Sequence, residues 1–342
     1  MKKICVFVIM QYTVALFAGC NNMAKQPNEE KGSKDVYVVG YVENEQGKKV
    51  ATLWKNGVSQ NLTNGTRDTE AKSVYVFGTD VYVVGHESHD IAKLWKNGIE
   101  QNLTVAGYRT WAYSVFVVDN DVSVAGGTNI EGNVIAVLWK NGVPQNLTDG
   151  ISDASANSIF VSGNDVYIVG EEDNEDGYDV AMLWKNGVAQ NLTDGSKYGE
   201  ANSVYVYDND VYVAGGENDD QENYIAILWK NGVPQNFTDG TNLYSVYVSD
   251  GNVYVVGSGL NENGKYVVKL WKNGVAQNLT DGIRETSATS VYVSGNDVYV
   301  VGYEIIATQP RIIRTPILWK NGVAQKLTNE TSNAVASSVF VK

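Results

Sequence analysis

Residues 158–193 read SIFVSGNDVYIVGEEDNEDGYDVAMLWKNGVAQNLT, and this stretch decides the fold. It holds four short apolar runs, 158–161, 166–170, 180–185 and 188–193. Each run is rich in β-branched or aromatic residues and is bounded by turn residues, the composition of strands. Asn186-Gly187 joins the last two runs. Both residues tolerate positive φ, so they predict a two-residue hairpin of the mirror-image type. Residues 162–165 make a second tight turn, and Glu171 to Asp179 form a longer acidic loop. The stretch therefore predicts a four-stranded antiparallel meander, which cannot bury either face by itself.

Copies supply the missing partners. Leu-Trp-Lys-Asn-Gly occurs seven times, with its tryptophan at Trp54, Trp95, Trp139, Trp184, Trp229, Trp271 and Trp319. The spacings are 41, 44, 45, 45, 42 and 48 residues, a period that suits a propeller blade or a helical pair. The 3.6-residue apolar period that helical pairs need is absent. Four strands per unit, seven times over, predict an all-β, seven-bladed β-propeller. The matched tryptophans read as packing between blades rather than as a ligand cage.

The outer copies are complementary. The first begins at its second strand, Asp35 to Gly40, and a lone first strand, Ser338 to Val341, follows the last. In a closed ring the C-terminal strand completes the first blade beside residues 36–40. Such a clasp removes the exposed edges of an open array. A linear solenoid would instead carry atypical capping repeats.

The N-terminal segment reads differently. Lys2 and Lys3 precede an apolar run from Ile4 to Ala18, too short to span a membrane and suited to a signal peptide over residues 1–19. Phe17-Ala18-Gly19-Cys20 resembles the bacterial lipobox, which implies acylation of Cys20 and a membrane partner through an N-terminal lipid anchor. Residues 20–34 are polar and read as a flexible tether, leaving 35–342 as the propeller. Glu29-Glu30 resembles the surface-export signals of some bacterial lipoproteins. The expected location is the cell envelope, at the outer membrane, and a monomer is expected.

Net charge is −13, and removing the two lysines of residues 1–19 leaves −15 on the remainder. A polyanion repels nucleic acid, so DNA and RNA are discounted as partners. Cys5 and Cys20, the only cysteines, form neither a disulfide framework nor a metal site.

Strand direction alternates within a blade. The short, uniform turns therefore share one face of the disc, and the variable loops and crossovers share the other. The residue just before the inner-strand serine breaks the repeat: Lys72, Tyr113, Asn157, Asn202, Tyr244, Thr289 and Ser337. These are expected to ring the central opening as ligand contacts. Tyr108, Arg109 and Trp111 form the only aromatic-rich crossover, and an exposed aromatic beside amides and carboxylates suits a sugar or peptide.

Catalytic chemistry is sparse. His86 and His89 share a short stretch with Glu87 and Asp90 and could offer metal ligands, but the reading preferred is a solvated loop. Glu172, Asn174 and Asp176 have the alternate spacing of a calcium loop without its distal ligand. No metal site and no cofactor is expected. No nucleophile motif or phosphate-binding glycine loop is present. Glu70 and Glu200 would be the carboxylates of a glycosidase, but they belong to opposed blades. Six Asn-x-Thr strings, at Asn61, Asn102, Asn146, Asn191, Asn236 and Asn278, share one repeat position and read as strand ends rather than glycan acceptors.

The repeat unit over residues 35–342 resembles tandem propeller repeats of bacterial envelope lipoproteins. Ala125-Gly126-Gly127 and Ala214-Gly215-Gly216 look distantly kelch-like. The resemblance implies fold and envelope location and transfers no active residue. The expected function is a non-enzymatic binding or scaffold module that recognises a polysaccharide or protein on the variable-loop face. A glycan hydrolase or lyase and a purely structural envelope protein are the alternatives.

Overall fold

The computed structural model describes residues 34–342 except 89, 90, 106, 308, 310 and 330–332. The signal peptide, Cys20 and nearly all of the tether lie outside the described residues. Among the described residues, twenty-eight strands form seven four-stranded antiparallel sheets, with no helix. The stretch read first folds as strands Ala154–Ser162, Asp165–Asp173, Asp179–Lys185 and Val188–Asn191, in that order from the axis outward. The clasp forms as the complementary ends predict. Ala334–Val341 pairs with Val36–Glu43 as the inner strand of the first blade, with Val36 opposite Val341. Reciprocal backbone bonds of 2.9 Å between Asp35 and Lys342 extend that pairing.

Apolar burial lies between blades rather than within them. Each core cluster mixes neighbours: Ala125 and Leu138 of the third blade pack with Ile159 and Trp184 of the fourth. All seven repeat tryptophans are at most 1% exposed. At ~25 cal/mol/Å2 over roughly 150–250 Å2, each removes on the order of 4–6 kcal/mol of apolar surface from water, an upper bound.

The uniformity of the short-turn face has a local cause. In Asn56-Gly57 both residues have positive φ, 52° and 80°. The Asn56 side chain accepts the Val36 N–H at 2.8 Å and donates to Asp35 at 2.8 Å, while Lys55 pairs with Asp35 at 2.8 Å over the Tyr37 ring. The fourth blade repeats this set with Asn186, Val166, Asp165, Lys185 and Tyr167. The Asp-Val-Tyr and Lys-Asn-Gly signatures are thus two halves of one turn lock. The exposed ion pair adds little to stability and the two side-chain bonds of the asparagine fix the hairpin.

The six Asn-x-Thr strings at the shared repeat position also have a structural account. Asn61, Asn146, Asn191 and Asn278 end their strands, and Asn102 and Asn236 stand one residue before the end. The following threonine hydroxyl accepts a third-strand N–H, as from Ala181 to Thr193 at 3.1 Å.

Candidate functional site

Two rings of side chains close around the axis. The inner-strand serines link each blade to the next: Ser73 accepts the Val115 N–H at 3.3 Å, Ser114 that of Ile159 at 3.2 Å, and Ser158 that of Val204 at 3.2 Å. Ser203, Ser245, Ser290 and Ser338 continue the series to Val246, Val291, Val339 and Val74, which returns it to the start. Two residues further along each inner strand stand Tyr75, Phe116, Phe160, Tyr205, Tyr247, Tyr292 and Phe340. They form a belt of tilted rings at centroid spacings of 4.6–5.0 Å.

The residue before each serine is a β-bulge. Register shifts skip Lys72, Tyr113, Asn157, Asn202, Tyr244 and Thr289 in turn, and Ser337 in the first blade. The cause is the second-strand glycine. A Cβ on Gly85, Gly126, Gly170 or Gly215 would sit 1.8–2.1 Å from the carbonyl oxygen of Glu70, Trp111, Ser155 or Glu200. Gly40, Gly257 and Gly302 meet the same carbonyl at 1.9–2.0 Å. Absence of a side chain lets the inner strand close in, and the extra residue is pushed out of the ladder.

All seven bulge residues line one open axial cavity of about 140 Å3. Tyr108, Arg109 and Trp111 are not among its lining residues. Arg109 starts its inner strand opposite Asn129, and Tyr108 precedes it, 40% exposed. Trp111 lies half-buried in a layer above, with its ring edge over Gly127.

Several bulge side chains also tie blades together. Asn157 donates to the Ala201 carbonyl at 3.2 Å, Asn202 to that of Leu243 at 3.1 Å, and Thr289 to that of Ala336 at 2.9 Å. Tyr244 shares a hydrogen bond of 3.3 Å with Ser258. Burial, with Glu171 and Glu70 nearby, pushes the Tyr113 phenol up to about 12.

The two sides of the mouth differ in charge. Burial alone would raise Glu70, but Lys72 at 2.6 Å and Lys49 in contact hold it at about 2. It is a fixed carboxylate between two ammonium groups. Across the ring, Glu171 accepts from Asn157 at 2.6 Å, yet burial and the nearby Glu200, Asp179 and Asp173 push it up to about 8. Burial and Asp173 likewise raise Asp179. Asn202 at 2.9 Å and Asn242 at 2.8 Å both donate to Glu200. Sequence reading missed Glu171. Its signal is position: it directly follows the second-strand glycine, where Tyr41, His86, Gly127, Gly216, Ser258 and Tyr303 stand in the other blades.

The loop reading of His86 is corrected. It sits inside strand Asp80–Glu87, 4% exposed, with its ring 6.2 Å from that of Tyr113, because the strand runs past Gly85. Glu87 pairs with Arg67 at 2.9 Å and Lys93 at 3.2 Å, and His89 and Asp90 lie outside the described residues. The Asn174 side chain is occupied in its turn, accepting the Asp176 and Tyr178 N–H groups at 3.0 Å and donating to Gly195 at 2.7 Å. Asn44 and Asn261 build the same turn. The alternate spacing around Asn174 is therefore that of a hairpin turn. Among the described residues, no group of three His, Cys, Asp or Glu could hold a metal.

No protein-family model matches the chain, and neither does any curated protein. Solved structures do. A puromycin-hydrolyzing peptidase of Mycobacterium tuberculosis aligns at TM-score 0.58 and 14% identity, over 86% of this chain and 52% of that one. An acylaminoacyl peptidase of Pyrococcus horikoshii aligns at TM-score 0.52 and 16% identity, over 87% and 51%. A further acylaminoacyl peptidase, solved with Z-Gly-Gly-Phe-chloromethyl ketone, aligns at 0.53 and 14%, over 88% and 51%. This chain spans about half the length of each. At these identities the likeness concerns the fold alone.

Proposed function

We propose that the protein is a cell-envelope binding module, anchored through Cys20, whose ligand seats in the axial mouth of the variable-loop face. The observation that carries this reading is the bulge layer. Identical serines and glycines build it in every blade, yet the seven residues it projects all break the repeat. A purely structural ring has no use for that asymmetry. Glu70 with its lysines on one side and the carboxylate group around Glu171 on the other give the mouth a charge polarity. That polarity suits an oriented polar chain, a polysaccharide or a protein segment, over an apolar small molecule.

Glycan arrays and pull-downs from envelope extracts test it. A hit that is lost in a Tyr113→Ala, Tyr244→Ala double variant of unchanged stability supports the mouth. No binding to any glycan or envelope protein refutes it. Anchoring has a separate readout: labelled palmitate is incorporated by the parent, and incorporation by Cys20→Ala would contradict the lipid anchor.

One observation favours a second reading, a glycan hydrolase. A carboxyl that keeps its proton at neutral pH beside a second carboxylate is the arrangement of acid-catalysed glycoside cleavage. Glu171 and Glu200, rather than Glu70 and Glu200, would then be the pair, since Glu70 is neutralised in place. Turnover of a polysaccharide that Glu171→Gln abolishes would establish it. Absence of turnover across a broad panel leaves the binding reading alone.

A further inference from the structure

Away from the mouth, the crossover into the fifth blade lacks a blade-to-blade bond that three other crossovers carry. One crossover residue is marked in several blades by a backbone bond. The carbonyls of Asp68, Asp153, Asn333, Tyr198 and Glu285 accept from Ser88, Asp173, Glu43, Asn218 and Ile305 at 2.6–2.9 Å. In the first three the side chain reaches back to the preceding blade and accepts a third-strand N–H. Asp68 takes that of Lys49 at 2.9 Å, Asp153 that of Val134 at 2.6 Å, and Asn333 that of Arg314 at 3.1 Å. Tyr198 has no acceptor of that reach. Its ring is 47% exposed and meets Tyr178 edge-on at 5.0 Å. A staple that stabilises the disc is absent here, and a surface aromatic pair stands in its place.

That pair walls a cleft of about 350 Å3 between the fourth and fifth blades, within the range of ~300–1,000 Å3 typical of small-ligand sites. Its polar groups are of two kinds. Asp219 is committed to its own turn, accepting from Gln221 and Asn223 at 2.8 and 2.9 Å. Lys197, paired with Asp220 at 2.6 Å, and the Asn218 side chain stand beside the rings. With Asp219, Asp220 and Glu222 against one lysine, the cleft repels anions. A flat aromatic surface beside an amide, a carboxylate and an ammonium group matches a ring with one apolar C–H face and a rim of hydroxyls.

We propose that this cleft is a carbohydrate subsite, separate from the mouth, that stacks a neutral or amino-sugar ring on Tyr198 and holds its hydroxyls with Lys197, Asp220 and Asn218. It stands independently of the mouth reading.

The test titrates the full chain with hexamers of β-1,4-glucose, β-1,3-glucose, N-acetylglucosamine and glucosamine, followed by saturation-transfer NMR and calorimetry. At least one hexamer binds the parent. Tyr198→Asp, which restores the staple, weakens it by roughly tenfold or more, with a thermal midpoint equal to or above the parent's. Tyr198→Phe keeps the ring and binds within about threefold, and Tyr113→Ala at the mouth leaves affinity within about twofold. Three results overturn the proposal. No hexamer binds at millimolar concentration, or Tyr198→Asp binds as the parent does, or Tyr113→Ala alone abolishes binding, which moves the site to the mouth.

Discussion

Gly126 and Gly127 are neighbours in one strand, yet replacing each by alanine should have opposite consequences. Neither has positive φ, so the backbone accepts alanine at both. Gly→Ala in such a place stabilises by about 0.4–1 kcal/mol through the unfolded chain. At Gly127 that gain stands almost alone, since the new Cβ meets nothing closer than 3.4 Å. At Gly126 it would lie 2.0 Å from the Trp111 carbonyl oxygen, where real contacts stay beyond 3.0 Å. A carbonyl within a ladder cannot swing aside as a side chain can, so the inner strand must retreat. Overpacking of this kind costs about 1–3 kcal/mol, and flattening the bulge strains the Ser114–Ile159 link, worth roughly 1 kcal/mol more. Gly126→Ala should therefore be about 2 kcal/mol less stable than the parent, close to 30-fold in the folding equilibrium, and Gly127→Ala equal to it or better. Urea unfolding followed by the fluorescence of the buried tryptophans measures both. Equal midpoint shifts for the two variants, or a larger loss at Gly127, would refute the account of the bulge.

Two further outcomes follow from the charged groups. Glu171 is raised from 4.5 to about 8 by burial, so the folded chain keeps a proton that the unfolded chain releases. Stability is full below the unfolded value and falls as pH rises towards 8, by an amount on the order of 4 kcal/mol. Glu171→Gln should flatten that fall in denaturation profiles from pH 5 to 9, and parallel profiles would contradict it. Asp239 accepts from Lys269 at 2.9 Å and from the Trp271 indole at 3.1 Å, and the Lys269 side chain is only 6% exposed. Asp239→Ala should cost about 2 kcal/mol, less than a fully buried pair because Asp239 is half-exposed, and adding Lys269→Met should recover most of it. A double variant as unstable as the single one would count against an unpaired ammonium as the cause.

Architecture was legible because every blade repeats it. The tryptophans, the Asn-Gly turns and the complementary ends each recur or match at fixed spacing, so a count becomes a fold. Lys72, Tyr113 and their counterparts were legible as a set for the same reason, since a break in a repeat is visible against it. Their projection was not. It depends on the second-strand glycine meeting a carbonyl of the inner strand paired with it, a close approach that strand periodicity does not encode. Glu171 and Tyr198 escaped notice because a loop carboxylate or tyrosine looks the same whether solvated or packed. Only the packing of the fourth blade against the fifth brings Glu171 near Glu200, and only the blade-to-blade bonds of Asp68, Asp153 and Asn333 show what Tyr198 lacks.

The pairing of Val36 with Val341 also sets a clock. The second strand of the first blade is synthesised early, but its inner partner emerges roughly 300 residues later, some 15–60 s at about 5–20 residues per second. Through that interval the first blade presents an open hydrogen-bonding edge to its surroundings. A growing chain must shield that edge, by a chaperone or by staying unfolded, until the final strand arrives. Slow translation should therefore favour exchange of that strand between two copies over closure within one.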